Sequence, residues 1–122
     1  MFCAVKRDFA DVEPTAYLPG ADGLVAGEAA VLTAGALAKC GASVKPTHIA
    51  MGTKNKAGRY PAIRVLPTTV FEAPCSAAIA AVGSIVTIGA DALSVTATTA
   101  SGVFTVEDTE NAADTMVRGR FM

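Results

Sequence analysis

From residue 27 onward, short runs of Val, Ile, Leu and Thr alternate with Gly, Pro, Asn and Asp. Runs rich in β-branched residues predict strands, and that punctuation, recurring about every eight to twelve residues, predicts turns. The pattern places strands at 29–33, 37–40, 48–51, 62–66, 69–72, 85–88, 93–98, 103–107 and 115–121. The cleanest alternation is at 93–98, where Leu93, Val95 and Ala97 point one way and Ser94, Thr96 and Thr98 the other. A sheet with one wet face requires that pattern. Short turns on either side predict an antiparallel meander of 85–88, 93–98 and 103–107. In the last strand, Met116, Arg118 and Arg120 share one face and Val117, Gly119 and Phe121 the other.

The stretch 76–83 (SAAIAAVG) is the one plausible helix, with Ser76 as its cap and Gly83 as its end. A helix that short does not hold unaided, and a small-residue crossing strand is the alternative. The fold class is therefore mainly β: a small antiparallel β-barrel or sandwich over residues 27–122. Residues 1–26 read differently. Lys6, Arg7, Asp8, Asp11 and Glu13 crowd together before Pro14, Pro19, Gly20 and Gly23, which suits neither a long helix nor a central strand. Yet Phe2, Val5, Phe9, Val12, Tyr17 and Leu18 are too apolar for a plain disordered tail. An extended N-terminal arm fits both facts, its apolar partner lying on this chain or another. A frayed terminus laid over its own core fits equally.

Composition narrows the class. With 122 residues there is room for one domain, and 25 alanines make the interior light. Ten basic and eleven acidic side chains leave a net charge of -1, which argues against a nucleic-acid partner. No apolar stretch is long enough for a membrane-spanning helix, and the start, MFCAVKRDFADVEP, lacks the form of a secretory signal. Cys3, Cys40 and Cys75 are odd in number and widely spaced, which favours reduced thiols and an intracellular place of assembly over a disulfide framework or a zinc site.

No catalytic set assembles from the sequence. The single histidine, His48, lies in a strand beside Ile49, which aims at the opposite face, and no nucleophile motif accompanies it. The acidic run 107–114 lacks the EF-hand register, so an exposed, mobile turn is expected and no metal. The basic loop 52–59 is not a phosphate-binding loop, which leaves a solvated hairpin connection that can meet an acidic surface. The expectation is a protein that is not an enzyme and needs no cofactor. A small ligand-binding barrel, the competing class, predicts a polar pocket around His48, Arg59 and Arg64.

Several strand phrases carry a family resemblance: AGEAAVLTAGAL at 26–37 leading into AKCG, then KPTHIAM at 45–51 and RVLPTTVFE at 64–72. VGSIVTI at 82–88 and SGVFTV at 101–106 continue it. Over about residues 26–121 the chain resembles the head decoration, or capsid cement, proteins of tailed bacteriophages. The resemblance implies a β-barrel or β-tulip-like domain on the outer surface of a phage head, assembled in the host cytoplasm. There it would stiffen contacts between major capsid subunits. It implies no catalytic residues. Copies of such proteins often cluster around local symmetry axes, so the partners would be the major capsid protein and further copies of the chain. Phe2, Phe9, Tyr17 and Leu18 are then the expected capsid anchors, with Lys6 and Arg7 as rim charges. The alternative is that these residues close the bottom of their own barrel. Related readings are a head-fibre base, a head–tail connector or a tail-tube component.

Overall fold

A computed structural model describes residues 1–6 and 16–121. Ten strands form two five-stranded antiparallel sheets, and the described residues contain no helix. They are β1 (Cys3–Lys6), β2 (Ala16–Pro19), β3 (Ala29–Thr33), β4 (Ala36–Lys39), β5 (His48–Ala50), β6 (Arg59–Arg64), β7 (Val70–Pro74), β8 (Ile85–Val86), β9 (Phe104–Asp108) and β10 (Met116–Phe121). One sheet has the order β1-β7-β10-β9-β8 and the other β2-β6-β5-β3-β4.

The main core lies between the sheets. Alternate residues of β7, β9 and β10 turn Phe71, Ala73, Phe104, Val106, Val117 and Phe121 inward against Ala29 and Ile49 of the second sheet. Phe121 is the hub of the aromatic packing: its ring centroid lies 5.1 Å from Phe104, 5.3 Å from Phe2 and 5.5 Å from Phe71. These tilted and edge-on contacts suit ring quadrupoles, and each buried ring stabilises the fold by about 1.5–3 kcal/mol. As alternation predicts, Met116 and Arg118 of β10 are exposed and Arg120 half-buried, while Val117, Gly119 and Phe121 are buried.

A smaller core forms on the outward face of the second sheet from Leu24, Ala30, Leu37, Tyr60 and Ala62, with Leu18 beside it. The sheet curls enough for Gly20, just past β2, to form an isolated bridge with Leu37 of β4. The Ala21 amide donates to the Leu37 carbonyl at 2.9 Å, and the Tyr60 hydroxyl donates to the Ala21 carbonyl at 2.8 Å. Gly20 permits this approach, because a β-carbon there would stand 3.0 Å from the Tyr60 ring and 3.1 Å from Leu37.

Turn chemistry fixes the register. Between β3 and β4 the two-residue turn Ala34-Gly35 has φ of 53° and 81°, the left-handed pair that matches hairpin twist. Glu28 is buried; its Oε2 accepts the Val25 amide at 3.0 Å, and its Oε1 lies 3.6 Å from Lys39 Nζ. A buried carboxylate is tolerated when it is paired and hydrogen-bonded in this way.

Two expectations are corrected. The segment 93–98 is not a regular strand, and β8 pairs directly with β9, so there is no three-strand meander. Val95 is held from two directions instead: its amide donates to Pro74 and its carbonyl accepts from Ser76, while it bridges Ile88. The local alternation was real, but Ala97 is exposed and only Val95 is fully buried. The stretch 76–83 is not a helix; Ile79 is buried in the main core, and the Gly83 amide donates to Val106. Of the two readings of the N-terminus, the described residues Met1–Lys6 lie against their own chain. β1 pairs with β7, the Phe2 amide donates to Gly27 at 2.9 Å, and the Met1 amino group donates to the Leu93 carbonyl.

Candidate interaction surface

The six residues expected at an interface meet different fates. Phe2 is 1% exposed and packs against Phe104 and Phe121, so it closes its own core and is not a surface anchor. Lys6 ends β1 as an exposed residue paired in register with Val70. Arg7 and Phe9 lie outside the described residues. Leu18 is half-buried beside the smaller core. Tyr17 alone among the described apolar anchors is widely exposed, at 56%.

Tyr17 does not stand alone. On β2, an edge strand, it is the register partner of Pro61 in β6. The Pro61 carbonyl in turn accepts the Met51 amide at 2.8 Å, which continues the row beyond β5. Tyr17, half-buried Pro61 and exposed Met51 thus form an apolar row across one end of the second sheet. Proline carries no amide donor, so Pro61 joins the ladder through its carbonyl. Sequence reasoning missed Met51 and Pro61 as surface groups, because a spacing of two places Met51 on the face of the buried Ile49.

The outer face of the first sheet is charged and internally paired. Arg118 Nε lies 3.1 Å from Glu72 Oε2, and Arg120 Nε lies 2.7 Å from Glu107 Oε2. A cleft of 340 Å³ opens beside them, lined by Glu72, Asp108, Thr109, Glu110, Met116 and Arg118. No group of three or more His, Cys, Asp or Glu side chains among the described residues is placed to hold a metal ion. Within 107–114, Thr109 Oγ1 donates to the Ile79 carbonyl at 2.7 Å, which ties that acidic turn to the body.

The basic loop is organised by its own polar groups. Asn55 Oδ1 accepts the Ala57 and Arg59 amides at 2.9 and 3.0 Å. Lys54 Nζ meets Asp22 at 2.6 Å and lies 5.8 Å from the Tyr60 ring centroid. That hydrogen bond from Lys54 holds the exposed Asp22 carboxyl below its usual range. His48 and Arg64 are direct partners across β5 and β6 and line a second cavity, of 480 Å³, with Leu32, Thr47 and Val65. Arg59 is not with them: its Nη1 donates to the Tyr17 carbonyl at 3.3 Å.

All three cysteines are free thiols, with Cys3 exposed and the other two buried. Cys40 Sγ donates to the Val44 carbonyl at 2.9 Å, and burial pushes its thiol up to about 11. Cys75 Sγ donates to the Thr115 carbonyl at 3.2 Å. Comparison with known proteins found no matching family model, curated protein or solved structure.

Proposed function

We propose that the chain is a structural virion protein: a decoration, or cement, protein that docks on the outside of a tailed-phage head and stabilises contacts between major capsid subunits. The small β-barrel or β-tulip-like architecture belongs to the same reading, and the Gly20–Leu37 bridge that curls the second sheet supports it. The observation that carries the docking role is the row of exposed Tyr17, half-buried Pro61 and exposed Met51 across one end of the second sheet. Aromatic and methionine side chains are enriched where proteins meet: aromatics bring large contact area with few rotors, and methionine adapts its shape to the partner. The strand phrases that resemble cement proteins support the major capsid protein as the occupant.

A cement protein works by mass action. It binds the assembled shell better than separated subunits, and the difference adds to the stability of the shell. Such binding needs roughly 800 Å² per partner and no bond chemistry. Co-sedimentation of the purified chain with mature heads tests the reading. Saturable binding that raises the temperature at which heads release DNA is expected. Absence of binding to matching heads, or a position in an imaged virion at the connector or tail, would replace it.

A further inference from the structure

We infer that the protein surface met by the row of Tyr17, Pro61 and Met51 is acidic and presents a carboxylate to Arg59, a conclusion that rests on the docking role proposed above. The basic loop 52–59 belongs to the same end of the second sheet: Met51 directly precedes it, and Pro61 stands two residues past Arg59. The loop carries Lys54, Lys56 and Arg59 and no acidic residue. Its shape is fixed from within. The Asn55 amide donates to the Arg59 carbonyl at 2.8 Å, and the Gly58 amide donates to the Asn55 carbonyl at 3.0 Å. Lys56 is exposed within this closed turn.

The three cations differ in what they already meet. Lys54 is matched by Asp22 at 2.6 Å. Lys56 makes no ion pair among the described residues. Arg59 Nη1 donates to the Tyr17 carbonyl, a neutral acceptor, and no carboxylate among the described residues pairs with it. That bond places the guanidinium beside the row. Tyr17 and Pro61 are register partners, and Arg59 is two residues from Pro61, so the three share one face of the β2–β6 pair.

Desolvation then selects the partner. A surface that covers Tyr17 and Pro61 also takes water from Arg59. A dry guanidinium without a counter-charge opposes binding, whereas a carboxylate meets its fork with two parallel hydrogen bonds. A partner face that is apolar or basic at this position is rejected for the same reason. Lys56, on the tip of the loop, acts at longer range: it steers an acidic surface toward the row and makes the encounter sensitive to salt. A nucleic acid draws its affinity from many phosphate contacts, and two uncompensated cations on a chain of net charge -1 offer few.

Surface plasmon resonance of the full chain on matching phage heads, at about 50 and about 300 mM salt, tests the inference. Affinity is expected to fall with salt. Arg59→Gln should raise the dissociation constant about tenfold or more, chiefly through faster dissociation. Arg59→Lys keeps the charge without the fork and should fall between wild type and Arg59→Gln. Lys56→Gln should slow association about twofold or more and flatten the salt dependence. Lys45→Gln, exposed beyond the opposite end of β5, should change neither rate. Polyglutamate should compete with heads, and a duplex oligonucleotide should not. Should Arg59→Gln melt below wild type, Arg59→Lys takes its place, with a smaller rise expected. Binding that Tyr17→Ser weakens but Arg59→Gln and Lys56→Gln leave unchanged would overturn the acidic partner and keep the docking row. Absence of any binding to heads would overturn both. Competition by the oligonucleotide without competition by polyglutamate would overturn the carboxylate assignment.

Discussion

The ring of Phe2 lies 5.3 Å from that of Phe121, at a tilt of 51°, and only 1% of Phe2 is exposed. The second residue of the chain is thus held by the next to last. Phe2→Ala removes a large buried side chain from a packed aromatic group and leaves a cavity. The expected loss is about 3–5 kcal/mol in urea denaturation followed by far-UV circular dichroism. A loss below 1 kcal/mol would show that Phe2 does not occupy this core in solution. Deleting residues 1–20 is expected to unfold the domain, because that cut removes Phe2, β1 and β2 together.

The strands from β3 onward were legible because each buries alternate residues in the main core or the smaller one. Phe71 and Ala73 of β7, Phe104 and Val106 of β9, and Val117 and Phe121 of β10 keep the period of two that such burial imposes. The first two strands were hidden by charge and by Pro and Gly nearby. Neither β1 nor β2 is a central strand, so each needs only one paired edge and tolerates such neighbours. The segment 93–98 misled for the opposite reason: its period is clean, but Ala92 at φ 57° and the bonds from Val95 to the end of β7 pull it out of any ladder. Of the proposed interface, Tyr17 was named among the expected anchors, whereas its neighbour Pro61 depends on a cross-strand register that no local pattern encodes.

Gly119 sits on the inward side of β10, where a β-carbon would run into the Thr105 carbonyl oxygen and stand 2.8 Å from the Phe104 ring. Neither the backbone of β9 nor a ring packed against Phe121 can move without cost. Gly119→Ala is therefore expected to destabilise by about 1–3 kcal/mol, despite the gain in strand propensity. An equally stable variant in thermal denaturation would place β9 further from β10 than described.

Ala34 holds φ at 53° in the β3–β4 turn, a conformation that L-residues with a β-carbon adopt at a cost. Asn tolerates it, and Asn-Gly is the preferred pair for this turn. Ala34→Asn is expected to stabilise by about 0.5–1 kcal/mol in the same urea assay. Destabilisation would mean that the turn is of another type.

Burial raises the Cys40 thiol from an ordinary 9.0 to about 11, so the folded state favours its neutral form. For an acid raised on folding, that contribution is full below the unfolded value and is lost as pH rises from about 9 through about 11. Cys40→Ser should reduce the loss of stability across that window. At pH 8, a disulfide reagent should modify exposed Cys3 rapidly and the two buried thiols only at the rate of opening. Rapid titration of three thiols would contradict this burial.

Tyr17 separates folding from attachment. Its side chain is largely solvent-exposed, so Tyr17→Ser should change stability by no more than about 0.5 kcal/mol. Met51→Ser, at the other end of the row, should behave alike. If the row docks on the shell, each substitution instead removes an apolar anchor from an interface, where truncating a central aromatic costs about 2 kcal/mol or more. The expected result is a dissociation constant for phage heads raised roughly thirtyfold by Tyr17→Ser, with an unchanged melting temperature. Arg118→Ala, on the charged face of the other sheet, serves as the contrast and should leave head binding as it was. Weakening by Arg118→Ala but not by Tyr17→Ser would move the docking face to the first sheet, where Arg118 pairs with Glu72.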